Sequence, residues 1–205
     1  MATNIRQESL EIISDDQVYE PREDSYLIID NIESFSRDRI QTVLEIGCGS
    51  GVISLSYLHK FPQKHYIAVD ISYEAVCLTL RNMKKNNLDN LLLICSDLTS
   101  AFRKGIKFDE IIFNPPYLPE DEFDEYLSIN DLNALVGGKI GIEKTIRFIE
   151  YVKSYTTKII TIISSLSVAL DEFAKLVPKW EIKIIDDKKL GFETIWLVLL
   201  TRKLF

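Results

Sequence analysis

The fold of this chain is most constrained by a regular alternation between short apolar segments and helical patterns. Five apolar segments are continuous and rich in Ile, Val and Leu, which is typical of strands covered on both faces. These segments lie at 41–46, 65–70, 90–95, 107–113 and 158–164. Helical periodicity falls between and around them, at 22–35, 51–60, 72–87, 141–154 and 167–177. Strands that alternate with helices predict an α/β fold, a parallel sheet with helices on both faces.

The C-terminal segment breaks this alternation. Residues 180–186 and 192–202 both have the composition of strands, and the stretch "DKKLG" (187–191) between them predicts a short turn. We therefore expect an antiparallel β-hairpin to close the sheet.

Length, composition and charge limit what such a chain does. At 205 residues and 46% hydrophobic composition, the chain predicts one globular domain over 1–205 with a sizeable core. Its net charge of −7 argues against non-specific nucleic-acid binding, which needs a basic surface to displace phosphate counterions. The charge leaves open a nucleic-acid substrate that a partner subunit holds.

The cysteines and histidines indicate neither a disulfide framework nor a metal site. Cys48, Cys77 and Cys95 are odd in number and form no C-x-x-C pair, so reduced thiols are expected. Only His59 and His65 are present, which disfavours a histidine-based metal site. The chain shows no signal sequence and no apolar stretch long enough for a bilayer, so we expect a cytoplasmic protein, or a nuclear one by diffusion.

A glycine-rich motif follows the first strand, in "VLEIGCGSGVISLSYL" (43–58). Glu45 lies at the end of the strand, and Gly47, Gly49 and Gly51 then alternate through a turn that opens a helix. Glycines at this spacing let the backbone bend sharply and let a ligand lie against main-chain atoms. The spacing differs from the G-x-G-x-x-G dinucleotide fingerprint, and a carboxylate here would repel a pyrophosphate and suit a cation. The alternative is a glycine-rich turn that binds no ligand.

Two aspartates follow at the ends of the next two strands. Asp70 lies roughly 20 residues past the glycines, the spacing at which an acidic residue takes the ribose hydroxyls of a nucleoside. Asp97 ends the third strand and can accept from an adenine amino group, while Leu98 offers its backbone. Either aspartate alone would more often be a helix cap or a solvated loop charge. Their order after the glycine motif favours a role as ligands.

The segment "FNPPYLP" (113–119) follows the fourth strand, across the expected ligand crevice from the glycine motif. The Asn114 side-chain oxygen and the Pro115 carbonyl could accept both N–H groups of a planar amide and aim its nitrogen at a methyl donor. Pro115 and Pro116 would make these acceptors rigid, and Tyr117 gives a flat wall for stacking. The alternative is a proline stop followed by a surface aromatic residue.

The motifs together resemble a known family. Five strand–helix units and a final hairpin are similar to the class I S-adenosylmethionine-dependent methyltransferases, whose strand order is 3-2-1-4-5-7-6. N-P-P-Y followed by Leu118 resembles the HemK-type protein-glutamine N5-methyltransferases. "VYEPREDSYLIID" (18–30), "GGKIGIEKTIRFI" (137–149) and "ETIWLVLL" (193–200) resemble the eukaryotic and archaeal branch, which methylates the Gly-Gly-Gln glutamine of class 1 peptide-release factors.

The resemblance implies a role for each motif. It implies that residues 1–36 form a cofactor-lid segment and a helix, that 41–205 form the core, and that Asn114 to Tyr117 hold the glutamine amide. The implied ligands of S-adenosylmethionine are Tyr19, Ser25, Glu45, Gly47, Gly49, Gly51, Asp70, Ile71, Asp97, Leu98 and Asn114. It also implies a small zinc-binding activator subunit and a release factor as protein substrate, without direct nucleic-acid or membrane binding.

Several alternatives remain at the level of sequence. The third strand (90–95) would lie on a sheet edge without a Lys or Pro guard, so either a partner pairs with it or neighbouring helices shield it. The acidic loop 118–131 suits a basic release factor, but such loops are more often simply solvated. The alternative functions are a nucleic-acid amino-group methyltransferase and a non-catalytic methyltransferase-like scaffold. The charge of −7 counts against the former, and the intact motifs count against the latter.

Overall fold

A seven-stranded sheet forms the centre of the computed structural model, which describes residues 4–7, 10–36, 39–122 and 124–203. The strands are β1 (Asn4–Gln7), β2 (Leu10–Ile13), β3 (Thr42–Ile46), β4 (His65–Asp70), β5 (Leu91–Cys95), β6 (Glu110–Phe113), β7 (Leu118–Pro119), β8 (Val136–Gly138), β9 (Lys158–Ser164), β10 (Trp180–Leu190) and β11 (Glu193–Arg202). The helices are α1 (Glu23–Asp30), α2 (Ile32–Phe35), α3 (Val52–Lys60), α4 (Tyr73–Lys85), α5 (Ile129–Leu135), α6 (Glu143–Val152) and α7 (Leu170–Leu176).

The order of strands across the main sheet is β5-β4-β3-β6-β9-β11-β10. The five strands from β5 to β9 pair in parallel, whereas β11 is antiparallel to both β9 and β10. Counted along the chain, this is the order 3-2-1-4-5-7-6, so the predicted α/β sheet with a C-terminal hairpin is confirmed.

Alternation along the strands divides the core between the two faces of the sheet. Val43 on β3 packs with α1, α2 and α3, whereas its neighbour Leu44 packs on the opposite face with α6 and α7. Successive side chains of a strand point to opposite faces, so apolar residues at every position satisfy both layers. All four residues of β6 are buried, because this strand lies in the middle of the sheet.

The structure departs from the predicted boundaries at the C-terminal hairpin. The predicted turn 187–191 is wrong: β10 continues to Leu190, which pairs with Glu193, and only Gly191 and Phe192 remain in the turn. Gly191 adopts a left-handed φ of +64°, which a two-residue hairpin turn demands and glycine tolerates. The tight turn therefore overrides the polar composition that suggested a longer one.

The N-terminal region also differs from the prediction. The helix predicted over 22–35 is broken at Asn31, whose side-chain amide donates to the Leu27 carbonyl and to Asp186. Strands β1 and β2 form an antiparallel hairpin that was not predicted, because an alternation of only four residues is a weak signal. Helix α5 was also not predicted. Over the described ranges, the helices are too short or too polar for any of them to cross a membrane.

Candidate active site

The two predicted halves of the site meet at neighbouring strands of the sheet. Ile46 at the end of β3 pairs with Phe113 at the end of β6, so the chain leaves the sheet at adjacent positions with Gly47 and Asn114. Neighbouring strands lie about 4.8 Å apart. The sheet continues to β4 on one side of β3 and to β6 on the other, and ligands of such sheets bind at this reversal. The glycine motif and the N-P-P-Y motif thus flank one crevice.

The glycine turn has a backbone that other residues rarely adopt. Gly47, Gly49 and Gly51 have φ values of +73°, +55° and +82°, all in the left-handed region. A Cβ on Gly51 would lie 2.6 Å from the Thr79 side chain of α4, so the turn is pressed against that helix. A Cβ on Gly49 would meet no described atom within 4 Å, so one side of the turn has room for a ligand.

Asp70 connects the end of β4 to this turn. Its carboxylate accepts hydrogen bonds from the backbone N–H of Gly49 and from that of Ser72, each at 2.9 Å. Burial raises the pKa of Asp70, and these backbone donors oppose the rise. A carboxylate has about four acceptor sites, so two donors leave capacity for the hydroxyls of a ribose.

Glu45 lies in a different place from the one expected. Its side chain is 1% exposed and accepts from the hydroxyls of Ser54 on α3 and Tyr66 on β4, the latter at 3.1 Å. Residues 43 and 45 share a face of β3, and that face is covered by α3. The carboxyl therefore lies inside the protein beside the first turn of α3, and it does not line the open side of the crevice. Burial raises its pKa to about 8, while the two hydroxyls oppose the rise.

The raised pKa of Glu45 predicts a loss of stability at alkaline pH. The folded protein keeps this proton up to about pH 8, whereas the carboxyl's ordinary pKa is 4.5, so the folded state binds more protons between these values. The stability from this group is complete below pH 4.5 and is lost as the pH rises through about 8. We expect Glu45→Gln to remove this pH dependence of the free energy of unfolding. Each unit of difference between the folded and unfolded pKa corresponds to about 1.4 kcal/mol.

Chemical unfolding at pH 5 and pH 8 measures this difference. The free energy of unfolding should fall by a few kcal/mol more in the native protein than in Glu45→Gln. Glu181→Gln, on an exposed position of β10, is the matched control and should behave like the native protein. Equal pH dependence in Glu45→Gln and the native protein would contradict the prediction.

The N-P-P-Y segment is held by the N-terminus of α1. The Asn114 side-chain nitrogen donates to the Ser25 hydroxyl at 3.2 Å, and the Tyr117 hydroxyl donates to Asp24 at 3.2 Å. Burial, and then the Asp24 carboxylate, raise the pKa of Tyr117, so its hydroxyl remains protonated. The described peptide bonds, including those of both prolines, are all trans. The Asn114 side-chain oxygen is buried and accepts no hydrogen bond from the described part of the chain.

A second glycine turn supports this segment from behind. A Cβ on Gly137 would lie 2.5 Å from the Pro116 carbonyl oxygen, and one on Gly141 would lie 2.4 Å from that of Tyr117. Strand β7 also pairs in parallel with β8, which joins the two segments through their backbones. The backbone of 137–141 therefore lies directly against the N-P-P-Y backbone. The sequence showed these glycines, but their position against Pro116 depends on the fold.

The remaining predicted ligands are spread around the same end of the sheet. Tyr19 is half-buried, with the Arg22 guanidinium 5.1 Å from its ring centroid, and burial raises the pKa of Tyr19. Ile71 and Asp97 are exposed at the ends of β4 and β5. Leu98 is half-buried and has a left-handed φ of +48°. The Ser96 backbone N–H donates to the Asp70 carbonyl at 2.8 Å, which ties the two strand ends together.

Sequence reasoning missed the residues of α4 that hold the glycine turn. The Thr79 hydroxyl donates to the Gly49 carbonyl at 2.9 Å, and the Asn82 side-chain nitrogen donates to the Ser50 carbonyl at 2.8 Å. Both side chains are fully buried. Two polar residues three positions apart on the inner face of a helix were the available signal, because buried polar groups need partners.

The family model described as "Methyltransferase small domain" matches residues 23–129 of this chain. A relative from Methanocaldococcus jannaschii, provisionally named a protein N5-glutamine methyltransferase, is 39% identical over 189 residues, which cover 89% of this chain and 90% of the relative. The release factor glutamine methyltransferase of Aquifex aeolicus is 36% identical over 129 residues, or 60% of this chain. This chain spans only 45% of the length of that relative.

Among solved structures, the fold is similar to a chain of the E. cuniculi Mtq2–Trm112 complex, which is responsible for methylation of the eRF1 translation termination factor. The TM-score is 0.64 at 20% identity, and the match covers 91% of this chain and 99% of that chain. At this identity the likeness shows a shared fold.

Proposed function

The chain belongs to the methyltransferase small domain family, and we propose that it methylates the side-chain amide nitrogen (N5) of glutamine in the Gly-Gly-Gln loop of a class 1 peptide-release factor. One observation carries this proposal: the buried Asn114 oxygen, which has no hydrogen-bond partner among the described residues. A buried acceptor without a partner costs about 1–3 kcal/mol. Of the five buried side-chain atoms without a partner among the described residues, this one lies in the N-P-P-Y segment, so we infer that it is kept for a ligand. The side-chain amide N–H of a glutamine can donate a hydrogen bond to this oxygen.

The cofactor of this family suits the opposite side of the crevice. The glycine turn leaves room beside Gly49, and Asp70 keeps acceptor capacity for ribose hydroxyls. S-adenosylmethionine supplies an electrophilic methyl group on a sulfonium. Glu45 is a buried carboxyl that accepts from Ser54 in the first turn of α3, so it does not line the open side of the crevice.

Replacing Asp70 with alanine is expected to weaken S-adenosylmethionine binding by about tenfold or more. The variant loses the ribose acceptor and also releases the Gly49 backbone N–H, and a hydrogen bond to a charged group contributes about 1.5–3 kcal/mol. Calorimetric titration measures the dissociation constant, with Asp89→Ala as a control at an exposed position beyond α4. Unchanged affinity in Asp70→Ala would rule out the ribose role.

The amide would be held by geometry, without a strong general base. An amide nitrogen is a poor nucleophile because its lone pair is shared with the carbonyl. The Asn114 oxygen and the Pro115 carbonyl would each accept one N–H of the amide. They would aim the nitrogen at the methyl group and stabilise the positive charge that develops on the nitrogen. The trans prolines keep these acceptors rigid, and the Tyr117 ring, fixed through Asp24, forms the wall of the site. Once methylated, the nitrogen would lose its extra proton to water, because an N-protonated amide is a strong acid.

The surface beside N-P-P-Y supports a basic protein substrate. Two adjoining cavities of about 400 and 410 Å³ lie along the acidic loop and share Glu120, Asp121 and Asp124. Lys144 also lines the first cavity, and Leu118 lines the second. Phe192 at the tip of the C-terminal hairpin is 91% exposed and lines the second cavity. Carboxylates beside an apolar wall suit a release-factor segment that carries both basic and apolar side chains.

The free edge of the sheet supports a partner subunit. In the part of the chain that the structure describes, β5 pairs only with β4, and α4 leaves Leu92 55% exposed. Ile71 and Tyr73 are also exposed beside this edge. An unguarded apolar edge invites strand pairing. We propose that a small zinc-binding activator pairs along β5, as an analogue of the partner in the Mtq2–Trm112 complex.

Incubation with labelled S-adenosylmethionine and the release factor of the same organism tests the proposed function. We expect label on the glutamine of Gly-Gly-Gln by mass mapping, in larger amount when the small partner is present. A release factor with that glutamine replaced by alanine is the substrate control. A parallel incubation contains RNA of the same organism, and label on RNA in place of the release factor would favour the nucleic-acid alternative. Cofactor binding without any methyl transfer would favour the scaffold.

A further inference from the structure

The N-terminal hairpin is attached to α4 by two asparagine side chains. Asn82 accepts from the Ile13 backbone N–H at 2.8 Å and donates to the Ile13 carbonyl at 3.1 Å. One turn further along α4, Asn86 makes the same pair of bonds with Glu11, at 2.8 and 2.9 Å. Asn82 and Asn86 thus hydrogen-bond to the backbone N–H and carbonyl groups of β2 in the way that a neighbouring strand would. Leu10 and Ile12 meanwhile enter the core.

Only one of these two asparagines also contacts the glycine turn. The Asn82 nitrogen donates both to Ile13 and to the Ser50 carbonyl, whereas the second partner of the Asn86 nitrogen is the carbonyl of Asn82 within the same helix. Asn82 is 0% exposed, so water cannot replace a lost bond there without rearrangement. The side chain therefore connects a strand at the start of the chain to the turn that flanks the crevice.

The chain that follows β2 crosses to the substrate side of the crevice. Asp15 forms an ion pair with Arg81, and the Gln17 carbonyl accepts from Asn130 of α5 at 2.9 Å. The segment then reaches Ser25, which accepts from Asn114. Residues 10–25, which we call the strap, are thus linked to the glycine turn through Asn82 at one end and contact N-P-P-Y at the other.

We propose that Asn82 is a positioning residue for the cofactor site, through which the strap holds the glycine turn in its binding shape. Gly47, Gly49 and Gly51 have positive φ values, and glycine backbones adopt other conformations more readily than other residues do. Contacts from the rest of the chain must therefore keep this turn in one conformation. Thr79 restrains it at Gly49, and Asn82 restrains it at Ser50 with its own orientation set by both backbone groups of Ile13. This proposal depends on the proposed function only for the identity of the cofactor, S-adenosylmethionine.

The pair Asn82→Ala and Asn86→Ala separates positioning from stability. Each variant removes two hydrogen bonds to β2, so both should lower the melting temperature, and Asn82→Ala should lower it more because Asn82 is fully buried. Only Asn82→Ala also releases the Ser50 carbonyl. We expect the dissociation constant of S-adenosylhomocysteine, measured calorimetrically well below both melting temperatures, to rise about tenfold in Asn82→Ala. In Asn86→Ala it should change less than about twofold.

The result can overturn the proposal in two ways. Unchanged affinity in Asn82→Ala would remove the positioning role, and an equal loss in Asn86→Ala would assign the effect to general loosening of the hairpin. If Asn82→Ala does not fold, Ile13→Pro decides the question, because it removes the N–H that Asn82 accepts, together with the half-buried Ile13 side chain. Glu11→Pro removes the N–H that Asn86 accepts and is the matched control, relative to which the dissociation constant is compared. An increase of about threefold or more in the dissociation constant supports the proposal, and an unchanged value overturns it.

Cofactor binding needs no methyl acceptor, so this test is independent of the glutamine substrate. A chain that binds S-adenosylhomocysteine through Asn82 but never methylates a release factor would leave the positioning role intact and refute the proposed function. Conversely, a chain that methylates the release factor with equal cofactor affinity in all three variants would refute only the positioning role.

Discussion

Replacing Asn114 with alanine is expected to lower the turnover rate of glutamine methylation by about 10²-fold or more, with cofactor affinity within about threefold. The variant removes the buried oxygen that, among the described residues, has no donor of its own. Without that acceptor, the amide loses one of the two contacts that orient its nitrogen toward the methyl group. Single-turnover assays with the release factor measure the rate, and calorimetry measures cofactor affinity.

Ser25→Ala is the matched control for this experiment. Asn114→Ala also breaks the bond to the Ser25 hydroxyl, and Ser25→Ala breaks the same bond while keeping the Asn114 oxygen. We expect Ser25→Ala to lose less than about tenfold in rate, since Asn114 is still present but less firmly oriented. An Asn114→Ala protein that keeps a tenth or more of the native rate would refute the role of Asn114 as amide holder.

Replacing Gly137 with alanine is expected to impair both stability and turnover. The new Cβ would lie 2.0 Å from the Gly141 carbonyl oxygen and 2.5 Å from the Pro116 carbonyl oxygen, so one of the two backbones must shift. Such overpacking costs about 1–3 kcal/mol, or roughly 2–12 °C in melting temperature for a domain of this size. A shift of the Pro116 backbone by even 1 Å would move Asn114 away from its alignment and lower turnover by about 10²-fold.

Gly105→Ala separates the clash from a general effect of alanine. Gly105 has a φ of +96°, and a Cβ there would meet no described atom within 4 Å, so this variant bears backbone strain alone. We expect it to lose some stability and to keep its turnover rate, because the position lies away from N-P-P-Y. Thermal melts and steady-state assays compare the two variants. A native turnover rate in Gly137→Ala would show that the backbone of 137–141 does not control the position of the N-P-P-Y backbone.

Residues that lie directly at strand ends could be predicted from the sequence. Asp70 and Asn114 each follow an apolar segment, and the ends of parallel strands meet at one edge of a sheet. Glu45 was also found, but its environment was not, because a period of two places residue 45 on one face of β3 without telling what covers that face. Only the packing of α3 and Tyr66 over this face makes it a buried carboxyl with a pKa of about 8.

Supporting residues escaped prediction because their partners are remote in the chain. Asn82 meets Ile13 across 69 residues and Ser50 across 32, and no local pattern records either contact. A side chain at position 137 would clash with the carbonyl oxygens of Pro116 and Gly141, and only the folded chain brings these two groups next to it.

The strand order, and with it the free edge at β5, was implied by the resemblance to the methyltransferase family. The sequence by itself determined the alternation of strands and helices and the two motifs that follow β3 and β6. These features follow from hydrophobic periodicity and from the short-range conformational limits of glycine and proline, which act within a few residues. The tertiary structure alone decided that Glu45 is buried, that the Asn114 oxygen lacks a donor among the described residues, and that the strap holds the glycine turn through Asn82. Hydrogen-bond satisfaction and burial depend on which distant segments pack together, and they exist only once the chain has folded.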